Sequence, residues 1–478
     1  MTSRQTDPNG VEGRNVLVVG VGHHHGGPGV VNYLLKRGAS VRVTDLQPKS
    51  AFPESASLLE HLPGTFGQHK RRDVDWADIV VLNPAVPPGA DICLWAEEAD
   101  KTIESEMSLF FRECREYPCR IVGITGTKGK TSAAHLTSAI LDRVGLPNRL
   151  AGNMGRSALD ELTNLTPEHV AVLELSSFQI EGLTSHGLSP DVAALTNIAE
   201  DHLDRYSSFD AYADAKASMF HILGSSDWAI LPASATKRWK TSAREITFGN
   251  GSARRGAGHL FIERDYLCAD WKGRTHKIGR ADELGLIGPH MQLNALVAIG
   301  VALALGAEIS DLSKAVRNFE PVPGRLEAVG DVGSVSFVND TAATAPFAAI
   351  AGLRSFQKGQ VVAIVGGSDK GSSFEELART LREYAAAVVL LDGSGTQRLQ
   401  AALEEAEVQK VYGPYCSMPK AVDRAYKLAE PHGFTVLLSP GCASFGMFRD
   451  AKERGDRFVR AASKLAERLS VDTRRRSA

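Results

Sequence analysis

The stretch ITGTKGKTSAAH, residues 124–135, decides how the rest of the sequence is interpreted. The apolar residues that lead into it, RIVGIT from Arg120, indicate a buried strand, and the residues after the glycines indicate a helix. Such a strand, glycine-rich loop and helix bind phosphate, because backbone N–H groups and the helix dipole hold the phosphate oxygens. We expect Lys130 to neutralise the β- and γ-phosphates of a nucleotide and the Thr131 hydroxyl to bind Mg²⁺.

The spacing of this loop departs from the general pattern G-x-x-x-x-G-K-[ST], which would place a glycine at Ile124. The glycine is Gly126 instead, so the loop has the shorter form T-G-T-K-G-K-T. An ordinary glycine turn with a surface lysine is the alternative, but the strand, glycines, lysine and threonine occur in the order of a phosphate loop. We expect ATP to bind at Gly126, Thr127, Lys128, Gly129, Lys130, Thr131 and Ser132.

Strands alternate with helical segments along nearly the whole chain, which predicts an α/β protein with parallel sheets flanked by helices. At about 100 to 200 residues per domain, 478 residues argue for two to four domains. The strands fall into three blocks, which predict domains at residues 1–105, 106–321 and 322–478.

The composition excludes several classes of protein. A formal net charge of −2 gives no basic excess, so we expect no nucleic-acid partner. The six cysteines have no CxxC spacing, which argues against a disulfide framework and structural zinc. The polar start MTSRQTDPNG has no apolar core, so we expect a cytoplasmic protein. The longest apolar run, residues 295–307, is too short to cross a bilayer and predicts a buried helix.

Two later segments carry potential metal ligands: Glu174 in VLELSSFQ, and His202 in the cluster EDHLD. In an open α/β sheet, ligands bind beyond the carboxyl ends of the strands, where both residues would lie beside the phosphate loop. Mg²⁺ prefers oxygen ligands, so His202 taken alone is more typical of a hydrogen-bonded loop residue. Its combination with Glu174 and the phosphate loop favours a metal site.

Lys216 falls on the apolar stripe of a predicted helix, four residues from both Tyr212 and Phe220. An unpaired ammonium is costly to bury, so something should compensate it. One interpretation is a lysine whose stem covers the core while its ammonium reaches water. The other is a site lysine that is paired or chemically modified.

The ordered motifs ITGTKGKT, LELSSFQ, TNIAEDHLDRY with the following AK, PGRLE, IVGGSDKG, and SPGCASFGMF with KERGDRF resemble those of the Mur ligase family. Within that family, the sequence most resembles the ligases that add D-glutamate to UDP-N-acetylmuramoyl-L-alanine. The resemblance covers almost the whole chain. It implies ATP-dependent amide-bond formation through an acyl phosphate, with Mg²⁺, and a protein that acts as a monomer.

The resemblance also implies the nature of the domains. The N-terminal domain, residues 1–105, would be Rossmann-like and hold the UDP-linked substrate. Residues 106–321 would form a central P-loop ATPase-type domain with a parallel sheet, and residues 322–478 a Rossmann-like domain for the incoming amino acid.

Carried over residue by residue, the resemblance implies the following functions. The catalytic residues would be Lys130, His202 and Lys216, the last of them carbamylated. The metal ligands would be Thr131, Glu174, His202 and Lys216. Further nucleotide contacts would be Asn294, Arg325 and Asp340, and Asn153 would contact the UDP substrate. The amino-acid pocket would contain Thr344, Lys370, Ser444 and Phe445, although composition alone favours an ordinary turn lysine at position 370.

The glycine-rich stretch NVLVVGVGHHHGGPGVVNYLL, residues 15–35, resembles a dinucleotide fingerprint, but the third glycine comes one residue late. Adjacent histidines point in different directions, so a metal site is not expected. We interpret the loop as a substrate anchor, in which the helix start faces a pyrophosphate and Asp45 contacts uridine. The predicted UDP-substrate residues are Gly22, His24, Gly26, Asp45, Asn83 and Asn153.

Three positions depart from the family pattern. Ala342 stands where a lysine is usual, Met291 replaces an asparagine, and Gly324 replaces a histidine. These departures concern the specificity of the enzyme rather than its reaction class, and L-glutamate is the alternative acceptor. A folylpolyglutamate synthase, an NAD(P)-dependent dehydrogenase and a non-catalytic nucleotide-binding partner are the competing hypotheses. The N-terminal block of strands disfavours a folylpolyglutamate synthase, and the phosphate loop disfavours a dehydrogenase. The presence of Lys130, Glu174, His202 and Lys216 disfavours a non-catalytic partner.

Overall fold

A computed structural model describes residues 7, 9–22, 26–116, 119–202, 205–235, 239–249, 256–369 and 371–476, with side chains up to residue 469. The chain forms two compact units. Residues 1–283 and 293–317 make up the first unit, and residues 284–292 and 318–478 make up the second.

The first sheet has five parallel strands in the order β3-β2-β1-β4-β5. The strands are β1 Asn15–Val19, β2 Ser40–Asp45, β3 Gly64–Phe66, β4 Ile79–Leu82 and β5 Thr102–Ser105. The helices of this segment are α1 Gly26–Lys36, α2 Ala56–Glu60, α3 Arg71–Trp76, α4 Asp91–Glu98 and α5 Glu106–Glu116. The strand order reverses between β1 and β4, which is where open α/β sheets bind ligands.

The second sheet has nine strands in the order β14-β13-β12-β11-β10-β9-β6-β8-β7. They are β6 Arg120–Thr125, β7 Asn148–Gly152, β8 Val170–Glu174, β9 Val192–Leu195, β10 Trp228–Pro232, β11 Arg244–Phe248, β12 Gly258–Glu263, β13 Tyr266–Trp271 and β14 Arg274–Arg280. The helices are α6 Lys130–Arg143, α7 Ala158–Glu161, α8 Ser177–Thr184, α9 Phe209–His221, α10 Pro289–Ala304 and α11 Ile309–Ala315. Neighbouring carboxyl ends of β9, β6, β8 and β7 thus bring four loops together.

The central sheet is parallel over β7 to β12, as predicted, but one edge departs from this pattern, because β13 is antiparallel to both β12 and β14. Two-residue turns join these strands. Arg264 and Asp265 both have positive φ, as do Lys272 and Gly273, which is the hairpin geometry that matches strand twist.

The predicted buried helix is confirmed. Helix α10 is almost completely enclosed from Ala295 to Ala302. Among the described residues, the structure has no helix that is both long and apolar enough to cross a membrane.

The third sheet has six strands in the order β15-β16-β20-β17-β18-β19, all parallel except for β15. They are β15 Glu327–Val332, β16 Val335–Asn339, β17 Val361–Val365, β18 Ala385–Leu391, β19 Val411–Tyr415 and β20 Thr435–Leu438. The helices are α12 Pro346–Leu353, α13 Glu375–Tyr384, α14 Thr396–Glu405, α15 Met418–Ala429 and α16 Ala451–Arg476. The predicted α/β class is confirmed, while the three domain boundaries stay a prediction.

Candidate functional site

The two glycines of the phosphate loop allow it to press against its neighbours. Gly126 and Gly129 have φ values of +149° and +80°. A Cβ atom at Gly126 would lie 2.0 Å from Thr196 Oγ1, and one at Gly129 would lie 2.5 Å from Asn294 Oδ1. A larger residue at either position would therefore push the loop away from β9 or α10. The close approach of the loop to these neighbours fits the glycine-rich turns whose backbone N–H groups bind phosphate.

Asn197 holds the loop from the end of β9. Its side-chain oxygen accepts from the Lys128 backbone N–H at 3.0 Å, and its amide nitrogen donates to the Lys128 carbonyl at 2.8 Å. The Lys130 ammonium donates to the carbonyls of Gly126 and Thr127, both at 3.0 Å. The loop thus carries a fixed positive charge, and sequence reasoning assigned no function to the asparagine in TNI that fixes its shape.

Glu174 connects three elements. Its carboxylate accepts from the Thr131 hydroxyl at 2.6 Å and from the Asn153 amide at 3.3 Å. Only 3% of Glu174 is exposed. The structure thus brings together two predicted metal ligands, Thr131 and Glu174. It places Asn153, predicted at the UDP substrate, on the same carboxylate.

The segment after Glu174 begins a helix for a local reason. The Ser176 side chain accepts from the Gln179 N–H, and the Gln179 side chain accepts from the Ser176 N–H, which is a capping box at the start of α8. This cap fixes the direction of α8 and therefore the place of Phe178 beside the site.

Lys216 lies on the buried face of α9, as its spacing predicts, and only 2% of it is exposed. Its ammonium donates to Thr125 Oγ1 at 3.4 Å and lies 4.9 Å from the centre of the Tyr212 ring. Burial, and next the charge of Lys130, lower the pKa of Lys216 to about 7. The interpretation in which the ammonium reaches water is wrong. The helix therefore carries an amine into the interior beside the phosphate loop.

His202 lies in the loop after β9 with a positive φ of 54°. Its ring is 5.2 Å from that of Phe178 and 5.9 Å from that of Tyr212. The charge of Asp201, which precedes His202, raises the pKa of Lys216, as does the charge of Glu174, and both therefore oppose the effect of burial. Within the described ranges, the structure has no group of three or more His, Cys, Asp or Glu side chains placed to hold a metal ion.

The first sheet brings together three predicted UDP-substrate residues. A Cβ atom at Gly22 would lie 3.0 Å from Asn83 Nδ2. The Asp45 carboxylate accepts from the backbone N–H groups of Val21 and Gln47, both at 2.8 Å. Asp45 therefore holds the shape of the glycine-rich loop, a function that the sequence did not indicate.

The start of α1 lies next to a buried acid. A Cβ atom at Gly26 would be 3.0 Å from Glu106 Oε2. Glu106 also accepts from the Ser157 hydroxyl at 2.5 Å and from the Ala158 N–H at 2.9 Å. Predicted residue His24 lies outside the described residues.

In the second unit, Asp340 is buried at the end of β16. Its carboxylate accepts from the Ser439 hydroxyl at 2.8 Å and from the Leu326 N–H at 3.3 Å. Burial raises the pKa of Asp340 to about 7, and the neighbouring charge of Arg325 acts in the opposite direction. These two predicted nucleotide residues therefore lie close together within this unit.

The predicted amino-acid residues lie in loops of the third sheet. Ser444 is buried, whereas 62% of Phe445 is exposed and its carbonyl accepts from the Ser368 hydroxyl. The Thr344 N–H donates to the carbonyl of Ala342 at 2.9 Å. Lys370 lies outside the described residues.

Arg454 holds two loops of the second unit in place, a function that was not predicted from the sequence. It is fully buried and donates to Thr341 Oγ1 at 3.1 Å, to the Thr341 carbonyl at 2.9 Å and to the Cys442 carbonyl at 3.0 Å. It thereby ties the loops after β16 and β20 to α16. Its signal is the motif KERGDRF, in which this arginine follows Glu453.

Comparison with known proteins adds to this geometry. The Mur ligase middle domain matches residues 124–302, and the Mur ligase glutamate ligase domain matches residues 324–442. The UDP-N-acetylmuramoylalanine--D-glutamate ligase of Roseiflexus sp. (strain RS-1) is 41% identical over 466 residues, which is 94% of this chain and 98% of that protein. The ligase of the same name from Pelotomaculum thermopropionicum is 35% identical, over 93% and 96% of the two chains.

Two solved structures share the fold. The MurF ligase from Thermotoga maritima in complex with ADP has a TM-score of 0.60 at 17% identity and covers 97% of both chains. The UDP-N-acetylmuramate-alanine ligase MurC from Thermotoga maritima has a TM-score of 0.59 at 18% identity, over 94% of this chain and 99% of that one. On the identity and coverage of its relatives, the chain belongs to the Mur ligase family of ATP-dependent, amide-bond-forming ligases.

Proposed function

We propose that this protein joins D-glutamate to UDP-N-acetylmuramoyl-L-alanine with ATP, in cytoplasmic peptidoglycan precursor synthesis. The names of its full-length relatives support this substrate pair. The observation that carries the proposal is the meeting of Thr131 and Asn153 on the buried carboxylate of Glu174, beside the phosphate loop. This arrangement joins a nucleotide-binding element to the neighbouring loop at one end of the sheet.

The first chemical step would be phosphoryl transfer. A substrate carboxylate oxygen attacks the γ-phosphorus of ATP, ADP leaves, and an acyl phosphate forms. Backbone N–H groups of residues 126–131 and the Lys130 ammonium would balance the charge on the transferring group. Because Lys130 already bonds two loop carbonyls, its charge is held in place before the nucleotide binds.

The second step would form the amide. The neutral amine of glutamate attacks the acyl carbon, and the tetrahedral intermediate collapses with loss of inorganic phosphate. The ammonium proton of glutamate must leave before or during this attack. Asn294, which faces Gly129 within the first unit, and Arg325 and Asp340 in the second unit are the further nucleotide contacts that we propose.

The residues around Glu174 fit a magnesium ion, because carboxylate and hydroxyl oxygens are its preferred ligands. We infer that Thr131, Glu174, His202 and a modified Lys216 would hold magnesium, with Glu174 and His202 serving two sites. When bound, magnesium would neutralise phosphate charge and orient the γ-phosphate.

We infer that Lys216 is carbamylated. A neutral amine would attack CO₂, a nitrogen–carbon bond would form, and one proton would leave to solvent. The geometric support is that the amine is buried and donates to Thr125, and the charge of Lys130 also lowers its pKa. Carbamylation would replace the repulsion from Lys130 with attraction and create an anionic oxygen ligand.

We assign the UDP moiety to loops of the first sheet and the amino acid to loops of the third sheet. We propose that Gly22, His24, Gly26, Asp45 and Asn83 bind the UDP moiety. We propose that Thr344, Lys370, Ser444 and Phe445 form the amino-acid pocket. Ala342 supplies no positive charge where the family has a lysine, so either another residue supplies that charge or the substrate is placed differently.

An omission series of phosphate-release assays tests the proposal. We expect release only when ATP, Mg²⁺, UDP-N-acetylmuramoyl-L-alanine and D-glutamate are all present. Preference for L-glutamate would overturn the stereochemical assignment alone. Absence of glutamate-dependent turnover would contradict the enzyme assignment and favour a non-catalytic nucleotide-binding partner. Light scattering during size-exclusion chromatography would test the predicted monomer.

A further inference from the structure

Arg205 contacts two loops that the proposed reaction must align. Its backbone N–H donates to the His202 carbonyl at 3.0 Å, while its side chain crosses to the first sheet and donates to the Pro84 carbonyl at 2.9 Å. One residue therefore links the loop that carries His202 to the loop after β4.

The Arg205 guanidinium is held on two further sides. Its Cζ atom lies 3.9 Å from the centre of the Phe178 ring, and its Nη2 atom lies 3.8 Å from Glu181 Oε2. Only 16% of the side chain is exposed. A planar group that stacks, pairs and donates at once has a defined orientation, which the single ammonium of a lysine would not reproduce.

The loop that Arg205 reaches supports the predicted UDP-substrate site. Pro84 directly follows Asn83, whose side chain packs against Gly20 and Gly22 and accepts from the Ala85 N–H at 3.0 Å. Displacement of the Pro84 carbonyl would therefore move Asn83 relative to the glycine-rich loop.

We propose that Arg205 is a positioning residue. It keeps the loop after β4, which carries Asn83 and Pro84, aligned with the loop that carries His202. This inference rests on the proposed function, because alignment matters only if the substrate carboxylate must meet the γ-phosphate. Misplacement of reacting groups by about 1 Å can cost about 100-fold in rate. Arg205 bonds protein groups on both sides and acts through them.

Arg42 supplies a matched control. Its Cζ atom lies 4.1 Å from the centre of the Trp76 ring, and its Nη1 atom lies 3.7 Å from Asp73 Oδ1. It thus has a stacked ring and an acidic partner, as Arg205 does, but lies in the middle of β2 rather than between the two loops.

The kinetic experiment compares R205A, R205K and R42A. We expect R205A to lower kcat/KM for the UDP substrate by about 10- to 100-fold and to leave the Kd for ADP within about two-fold. R205K should recover part of the loss, because an ammonium can still donate to Pro84. R42A should stay near the wild type. Equal kinetics for R205A and R42A would overturn the inference. So would an R205A variant whose affinity for ADP falls as much as its kcat/KM for the UDP substrate.

Hydrogen exchange keeps this test independent of the proposed function. We expect faster exchange of the Ala85 and Val86 amides in R205A than in the wild type or R42A. Unchanged exchange would contradict the positioning function even if the wild-type protein showed no turnover. An inactive wild type with faster exchange in R205A would reject the proposed reaction and retain the link between the loops.

Discussion

The Thr131 hydroxyl donates to the Glu174 carboxylate at 2.6 Å, which joins the first turn of α6 to the end of β8. The two residues are 43 positions apart in the sequence, yet adjacent parallel strands bring them together. Their contact is the centre of the proposed magnesium site.

Replacement of Glu174 by glutamine tests that site. The variant keeps an oxygen for Thr131 but loses the negative charge. We expect the rate to fall by at least about 100-fold, since a catalytic metal contributes several kcal/mol and about 1.4 kcal/mol is a factor of ten. The measurement is phosphate release as a function of Mg²⁺ concentration. Glu168→Gln, in the exposed turn before β8, is the control, and an unchanged magnesium dependence in Glu174→Gln would exclude this carboxylate as a ligand.

Lys216→Ala tests carbamylation. We expect the variant to lose most of its activity, because no anionic ligand can form at that position, and added formate or acetate should restore part of it. Phosphate release across a carboxylate titration measures the recovery. Lys314→Ala, on α11, should stay active and show no response. Wild-type activity in Lys216→Ala would rule out the carbamate.

The raised pKa of Asp340 predicts a pH-dependent stability difference. Its pKa is about 7 in the folded protein and near its ordinary value, about 4, in the unfolded chain. The stability that the neutral carboxyl contributes is complete below the unfolded pKa and is lost as the pH rises through 7. Asp340→Asn keeps groups that can bond Ser439 and Leu326 without a charge. We therefore expect its Tm to exceed that of the wild type increasingly from pH 5 to pH 8.

Asp331→Asn, in the exposed part of the same sheet, is the control for that comparison. Thermal unfolding at several pH values measures both variants. A Tm difference between Asp340→Asn and the wild type that stays constant with pH would show that burial does not perturb this carboxyl.

Gly324 and Thr341 form a contact that explains one departure from the family pattern. Gly324 has a φ of +73°, and a Cβ atom there would lie 2.7 Å from Thr341 Cγ2. A histidine at position 324 would therefore displace the threonine that Arg454 bonds. Gly359 has the same φ of +73° but no atom within 4 Å of a Cβ placed there.

We expect Gly324→Ala to be destabilised more than Gly359→Ala by about 1–3 kcal/mol, since only the first variant adds overpacking to backbone strain. In Gly324→Ala combined with Thr341→Ser, the methyl group is absent and most of that excess should disappear. Urea denaturation of Gly324→Ala, Gly359→Ala, Thr341→Ser and the double variant measures the coupling. Equal losses in the two single glycine variants would show that the contact is too soft to matter.

The features that could be predicted from the sequence are those whose residues are close together along the chain. The phosphate loop was recognisable because strand, glycines, Lys130 and Thr131 are contiguous, and Lys216 was recognisable because helical spacing alone placed it on a buried face. The bonds from Asn197 to Lys128, from Asp45 to Val21 and from Arg454 to Cys442 depend on which strands are neighbours. Sequence spacing does not encode that order.

The antiparallel edge of the second sheet was missed for a different reason. Its turns, Arg264 with Asp265 and Lys272 with Gly273, are short and only the second contains a glycine. A two-residue hairpin without the usual Asn-Gly or Asp-Gly pair gives a weak signal.

Isotope transfer tests the central claim most directly. UDP-N-acetylmuramoyl-L-alanine labelled with ¹⁸O in both carboxylate oxygens would be turned over with unlabelled ATP and D-glutamate, and the released phosphate analysed by mass spectrometry. Because one carboxylate oxygen becomes the bridge of an acyl phosphate and leaves with phosphorus, we expect one ¹⁸O atom in each phosphate. Phosphate without ¹⁸O, alongside amide product, would contradict the proposed mechanism.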